Sequence, residues 1–580
     1  MWPTLLVIDG DFTMHQFDTI IRNGTIVDGS GSVPAFKADL AIKNGKIAQI
    51  GGRIWGSARQ ELDATGCIVA PGAIETHGHF DHHIFWDPYC TPNSANGVTT
   101  VSIGTCGFGW APCRDEDREA YTRIMSRIVS VPPASLQKWM PWDWHSFPEF
   151  LESIDRLKLG VNVASMVPIS PLRAYVMGVH DATTRTEMTD AELTALKTLF
   201  REAMDAGAWG FSGHRNPEDR TEDGGLLPSQ VAAYGEFYAL AEVLREYGCG
   251  SAYWTGGGSE GNEKEFMREI CRISGRPMQW TGVVQARDDA HDMWREELAW
   301  SEENAALGIP LFAQVLAPND MLFRLAEFNL FDSCPAWAGP LLGTREERLA
   351  KLQAPGVREA MKKDFAEGLG HFHGDWTAVF IKKAATEKYG KYEGKSLADI
   401  AQSQGGVEPV DAFLDIAIEE GLLTEFHVPF FTGSNEDASS EMLRAKSTIP
   451  SVSDNGAHYR FLSAGYWPTY FLARFVRDRK DTSLELAHYK MSALPAWVMG
   501  YRDRGILREG LAADIMVYEL DRLSYSESFT VNDLPNNEPR VMKTTTGFRW
   551  VLVNGGVAFE NDAPTGVLTG KHLRSTEYQV

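Results

Sequence analysis

The sequence predicts an α/β protein: a (β/α)8 TIM barrel with a small β-sandwich domain built from both chain ends. Three observations predict it. Short apolar runs recur between residues 66 and 455, several of them separated by amphipathic helical patterns. The first run ends in His77-Gly78-His79 and the second in Gly104-Thr105-Cys106-Gly107, so metal-binding residue types sit where strands end, as on the active face of a barrel. Alternating apolar and polar runs broken by Asn-Gly occur near both ends of the chain.

In chain order, residues 1–16 read as an N-terminal extension ahead of the first patterned run. Residues 17–65 alternate as short strands, with Asn23-Gly24 and Asn44-Gly45 as hairpin signals. Residues 66–495 carry the barrel, with strands expected at 66–76, 97–105, 160–168, 207–213, 249–256, 277–284, 309–316 and 448–455. Runs such as DAELTALKTLFREAMDAG and AAYGEFYALAEVLREYG between them show apolar spacing of three to four and stop near glycine. Strands alternating with such helices give a parallel sheet closed by crossovers. Residues 317–447, between strands seven and eight, are too long for a simple connection. They read as a cap projecting over the catalytic face, or else as a decorative or dimerising insertion. Residues 496–580 complete the sandwich and add a tail; ADIMVYEL and FRWVLVNGGVAFEN repeat the texture of the N-terminal strands.

Bulk composition sets outer limits. A chain of 580 residues with 43% apolar content holds one large barrel and a smaller domain. A formal net charge of −23 argues against nucleic acid and anionic membrane surfaces as partners; a small-molecule substrate is expected. Oligomeric state stays open, a homo-oligomer included. The N-terminus lacks a basic region ahead of a long apolar run, and no stretch of roughly eighteen apolar residues occurs. Seven cysteines, unevenly spread, do not make a disulfide framework. A cytoplasmic location is expected. GGGSEGNE lacks the lysine of a P-loop and the spacing of a dinucleotide fingerprint.

His-x-His on an extended strand turns both rings to one side, because side chains repeat every second residue. That arrangement, a buried strand ahead of it and a Gly-flanked cysteine on the next strand describe a metal site. APGAIETHGH resembles the strand-one signature of the amidohydrolase superfamily, PGxID-x-H-x-H. GVTTVSIGTCGFGWAP resembles the second-strand segment of its N-acyl-D-amino-acid deacylase (D-aminoacylase-like) branch. The resemblance implies a metal-dependent hydrolase of a carbon–nitrogen bond, of the amide or N-acyl amino acid type. It implies that Cys106 takes the place of the bridging carboxylated lysine found in other amidohydrolases. It implies that Asp454, in SVSDNGAH at the end of strand eight, binds metal and acts as general base. Read locally, Asp454 is also placed to cap the next helix, and Cys106 to be a buried core thiol.

The sequence departs from that branch at strands five and six. Where the branch has YxTHxR and xISHxK, this chain has YWTGGG and MQWTGVV, with Gly256 and Gly282 at the histidine positions. No histidine lies between Arg215 and Ala290. WDPYCTPNSANGVTT, PWDWHSFPEFL and HYKMSALPAWVMGYRDRGILREGLAADIMVY are similar to a longer subgroup that shares this loss. The remaining set is His77, His79, Cys106 and Asp454, which suits one zinc ion rather than two. His214, ending strand four, is a substitute ligand, an acid–base group or a structural residue. His458 lies four residues past Asp454, within reach of the site. Arg173 and Arg460 are candidate clamps for a substrate carboxylate, or partners of internal acids. Trp86, Trp110, Tyr466 and Trp467 are expected near the same face, with His82 and His83 behind the motif. Two other functions remain open: a non-hydrolytic enzyme on the same barrel (a decarboxylase, C–C lyase or isomerase), or a non-catalytic scaffold.

Overall fold

The structure is a computed structural model that describes residues 15–256, 262–285, 293–367 and 375–578. Most of the expected 1–16 extension, and most of GGGSEGNE, lie outside the described residues.

Strand one is Ala73–Glu75, strand two Val98–Ile103, and strand three Asn162–Ser165 with Val167–Pro168. Strands four to eight are Gly210–His214, Ser251–Thr255, Met278–Val283, Leu311–Val315 and Thr448–Ile449. Each pairs in parallel with the next. Strand eight leads back to strand one: the Thr76 N–H donates to Ser451 O at 3.0 Å, and His77 and Val452 form a parallel bridge. Helices occupy the crossovers. Asp190–Asp205 begins at a capping box, Thr189 with Glu192, and Tyr234–Tyr247 ends at Gly248 in the left-handed conformation.

Alternation decides which side chains enter the barrel. On strand five Trp254 faces outward, onto Phe237 and Phe266 of the helical layer at ring distances of 5.1 and 4.6 Å. On strand six Trp280 does the same against Trp300, at 5.4 Å. Their neighbours Tyr253, Thr255, Gln279 and Thr281 therefore face inward.

The chain ends build one nine-stranded sheet. Its members are Phe17–Ile26, Phe36–Lys43, Lys46–Gly51, Ala58–Asp63 and Ile68–Pro71, with Ile515–Tyr518, Phe548–Val553, Gly556–Glu560 and Ala563–Pro564. They share a core of Ile21, Leu40, Val69, Ile515, Val517 and Leu552. Two expectations are corrected here. Residues 66–76 are not one barrel strand: Ile68–Pro71 pairs with Ile515–Tyr518 in the sheet, and the barrel begins after Gly72. A Cβ at Gly72 would stand 2.2 Å from the Thr99 side chain, so the crossing between the two units needs glycine. Asn23-Gly24 is no hairpin but a bulge inside Phe17–Ile26, with Asn23 at φ 61°. Asn44-Gly45 does turn a hairpin, between Phe36–Lys43 and Lys46–Gly51.

Residues 317–447 have their own antiparallel sheet, Asn319–Phe323, Glu425–Thr432 and Phe380–Lys383, and their own aromatic core around Phe323, Phe328, Trp337 and Phe413. Phe461, just past strand eight, joins that core, and a buried Arg127–Asp332 ion pair ties the insertion to the barrel. Two C-terminal features were not legible. Residues 520–547 reach back to the barrel mouth, where the Val541 N–H donates to Tyr459 O at 2.7 Å. His572–Leu573 pairs in parallel with strand three. Among the described residues no helix is long and apolar enough to cross a membrane.

Candidate metal centre

The structure brings His77, His79, Cys106 and Asp454 together at the mouth of the barrel. His77 Nε2 lies 3.0 Å from Cys106 Sγ and 3.4 Å from Asp454 Oδ1. His79 Nε2 lies 3.1 Å from the same carboxylate oxygen. The donor atoms of His77, His79 and Cys106 all fall within 4.8 Å of one another. Two imidazole nitrogens, a sulfur and a carboxylate oxygen are a donor set that borderline-soft zinc accepts. The two rings and the thiol are buried, while the Asp454 side chain, 28% exposed, is the most accessible of the four. Cys106 and Asp454 hold φ values of 53° and 56°, a left-handed conformation uncommon for non-glycine residues.

The charges show how the group is balanced. Burial alone would push the Cys106 thiol up, but His77 and His79 draw it down to about 5. Burial would likewise lower His79, yet Cys106 and Asp454 lift it to about 10; His77 is raised well above its ordinary value for the same reasons. Asp454 resists burial through hydrogen bonds from both rings and lies well below the usual carboxylate range. Two imidazolium protons thus neutralise a thiolate and a carboxylate.

Strands five and six contribute hydroxyl groups. The Thr255 hydroxyl donates to Cys106 Sγ at 3.0 Å, and the Tyr253 hydroxyl lies 2.8 Å from His77 Nδ1. Thr281 Oγ1 is 3.4 Å from the same nitrogen. Gly256 and Gly282 are on the other face of their strands. A Cβ at Gly256 would meet Trp254 Nε1 at 2.4 Å, and one at Gly282 would stand 1.4 Å from the Trp280 ring. The inward positions beside the centre are Thr255 and Thr281, one residue earlier than the sequence comparison places them.

A family model described as "Amidohydrolase family" matches residues 60–559. The chain belongs to the amidohydrolase family. A D-aminoacylase of Alcaligenes xylosoxydans xylosoxydans is 27% identical over 97% of this chain and 98% of its own length. An uncharacterised protein of Mycobacterium tuberculosis is 27% identical over 97% of this chain and 96% of its own. Among solved structures, N-acyl-D-glutamate deacylase from Bordetella bronchiseptica, complexed with zinc and a phosphonate inhibitor, gives a TM-score of 0.64 at 24% identity, covering 96% of this chain and 99% of that one. A D-aminoacylase structure gives 0.63 at 23% identity, covering 96% and 100%. The expectation of a D-aminoacylase-like hydrolase read from strands one and two is met.

In this amidohydrolase the other expected site residues divide. His458 Nε2 stands 3.8 Å from Asp454 Oδ2, beside the centre. His214 is buried, its Nε2 2.7 Å from Asp219 Oδ2, and Phe108 packs between its ring and that of His79. Arg173 is corrected: its guanidinium is fully buried, with Nε donating to Glu236 at 2.9 Å and the rest to carbonyls of Ala182, Arg185 and Thr186. It pins the segment after strand three and is not free to clamp a substrate. Arg460 pairs with Glu538 at 2.6 Å and Glu327 at 3.3 Å, joining the C-terminal excursion to the insertion rather than reaching the centre. His83 is held between Tyr459 and Asp87, at 2.5 and 3.1 Å. Trp467 Nε1 donates to Glu75 at 2.9 Å, behind the histidines.

Glu75 was not singled out from sequence. Its Oε1 accepts from the His77 and Ser453 N–H groups, each at 3.1 Å, and its Oε2 from Asn93 Nδ2 and Trp467 Nε1, each at 2.9 Å. One buried carboxylate thereby clips the strand-one loop to the strand-eight loop. Burial pushes it up to about 7, while the four donors around it favour the ionised form. The acid two residues ahead of His77 was the signal available.

Proposed function

We propose that this amidohydrolase is a zinc-dependent enzyme that hydrolyses the C–N bond of a small amide or N-acyl amino acid, on a closed (β/α)8 barrel capped by residues 317–447. The observation that carries the reading is the convergence of His77, His79, Cys106 and Asp454 from the ends of strands one, two and eight. Together they would hold one ion. Zinc held there would lower the pKa of a water to about 7 and would polarise a substrate carbonyl.

The protein's own groups supply the rest. Asp454, with Oδ1 on the two imidazoles and Oδ2 toward His458, accepts the proton of the attacking water and delivers it to the leaving nitrogen. It is also the most exposed of the four, so it is the one that would be free to move from the other three. His77, His79 and Cys106 stay rigid, fixed by burial and by the hydroxyls of strands five and six.

The test is chelation and reconstitution with a panel of N-acyl-D- and N-acyl-L-amino acids in ¹⁸O-water. The expected result is activity lost to chelator, restored by zinc, and one ¹⁸O in the released acid. Turnover without ¹⁸O incorporation, or full activity after complete metal removal, would reject the reading.

A further inference from the structure

We infer that Gln314, on strand seven, is the positioning residue that makes His77 bind metal through Nε2. The inference rests on the metal-centre reading above.

Gln314 is fully buried, and every polar position of its amide is used. Its Nε2 donates to Thr76 Oγ1 at 3.1 Å and to Gln279 Oε1 at 3.4 Å. Thr76 Oγ1 must be the acceptor in the first of these, since its own proton goes to Ser451 O at 3.1 Å. That fixes which way the amide points. Its Oε1 then faces His77 Nδ1 at 3.0 Å. The Tyr253 hydroxyl lies 3.0 Å and Thr281 Oγ1 3.2 Å from the same oxygen, and these two hydroxyls also hydrogen-bond each other, so one of the two donates to Oε1. An oxygen facing Nδ1 requires Nδ1 to carry the proton. The lone pair of the neutral ring is therefore on Nε2, the nitrogen beside Cys106 Sγ and Asp454 Oδ1. Turning the amide over would set Oε1 against Gln279 Oε1 and the lone pairs of Thr76 Oγ1. The order Ser451 O, Thr76 hydroxyl, Gln314 amide, His77 imidazole thus runs from the end of strand eight through those of strands one and seven to Nδ1, the side of the ring away from the metal. An acceptor behind a ligating imidazole fixes its orientation and raises its basicity; losing one typically costs 10–100-fold in metal affinity.

The experiment measures zinc affinity of the purified full chain by competition with a chromophoric chelator, with thermal unfolding followed alongside. Gln314→Met removes the acceptor at similar volume and is expected to bind zinc about 10–100-fold more weakly than wild type. Gln314→Glu keeps an oxygen at Nδ1 and is expected to bind at least as tightly as wild type. Thr76→Val leaves Gln314 in place but releases its amide, and is expected to weaken binding several-fold. A purely structural role predicts the opposite order, because a buried extra charge harms the fold more than methionine does. Equal affinity in wild type and Gln314→Met overturns the inference, and so does equal loss in the Met and Glu variants. If Gln314→Met does not fold, unchanged affinity in Thr76→Val overturns it. A wild type that binds no zinc fails the metal-centre reading itself, a result distinct from these.

Discussion

Binding one divalent ion at this centre is expected to release two protons near neutral pH. The perturbation is the ion itself, added to metal-free protein. Without it, His79 is lifted to about 10 and His77 is raised well above its ordinary value, so both rings are charged at pH 7. Cys106, at about 5, is already a thiolate there, and Asp454 is a carboxylate. Two positive and two negative groups sum to zero. One divalent cation in place of two imidazolium protons keeps the buried site at zero, so no uncompensated charge is left in a low dielectric. The sign follows: protons compete with metal, so acid weakens binding and base strengthens it. Two displaced protons give about a hundredfold tighter binding per pH unit near neutral pH, or about 2.7 kcal/mol. Below about 5 the thiolate takes a third proton and the dependence steepens. Isothermal titration at pH 7 in two buffers of different ionisation enthalpy counts the protons, and chelator competition across pH gives the slope. Release of one proton or none would refute the charge assignment.

Glu75→Gln turns an amide NH2 onto two donors and loses two hydrogen bonds to a carboxylate. A loss of about 3–6 kcal/mol is expected, read as a lower urea midpoint. Asp454→Asn is expected to retain zinc through His77, His79 and Cys106 while kcat falls about 10²–10⁴-fold; metal content and kcat measured on one sample check this. Gly282→His is expected to add no second ion, because its Cβ would meet the Trp280 ring at 1.4 Å on the outer face of the strand. Overpacking there should cost about 1–3 kcal/mol in unfolding experiments, and metal analysis should still count one ion.

The sequence made the barrel visible because each of its strands is a short apolar run. Strand one has the added mark of a histidine pair at period two, and strand two of a Gly-flanked cysteine. Asp454 was visible only through the likeness of SVSDNGAH to a family segment, since one acid after one strand carries no spacing signal. The split at Gly72 was hidden because Ile68–Pro71 and Ala73–Glu75 are both apolar and continuous in sequence, though they belong to different sheets. Thr255 and Thr281 were missed because the sequence was aligned on the family's histidines. Alternation in SAYWT and MQWTG, with bulky tryptophans on the helix side, would have pointed inward to Tyr253, Thr255 and Thr281. Gln314 gave no local signal: its role depends on Thr76 and His77, more than 230 residues earlier. Arg173 shows the opposite failure. An arginine just past a strand end invites a role with ligand, but its acid partner, Glu236, comes from a helix far along the chain.

The central claim is that four side chains from three strand ends hold a single ion. Diffraction from zinc-loaded crystals, with anomalous data above and below the zinc edge, tests it most directly. The account predicts one anomalous peak per chain, bounded by His77 Nε2, His79 Nε2, Cys106 Sγ and Asp454. Two peaks, or a lone peak away from His77 and His79, would contradict it.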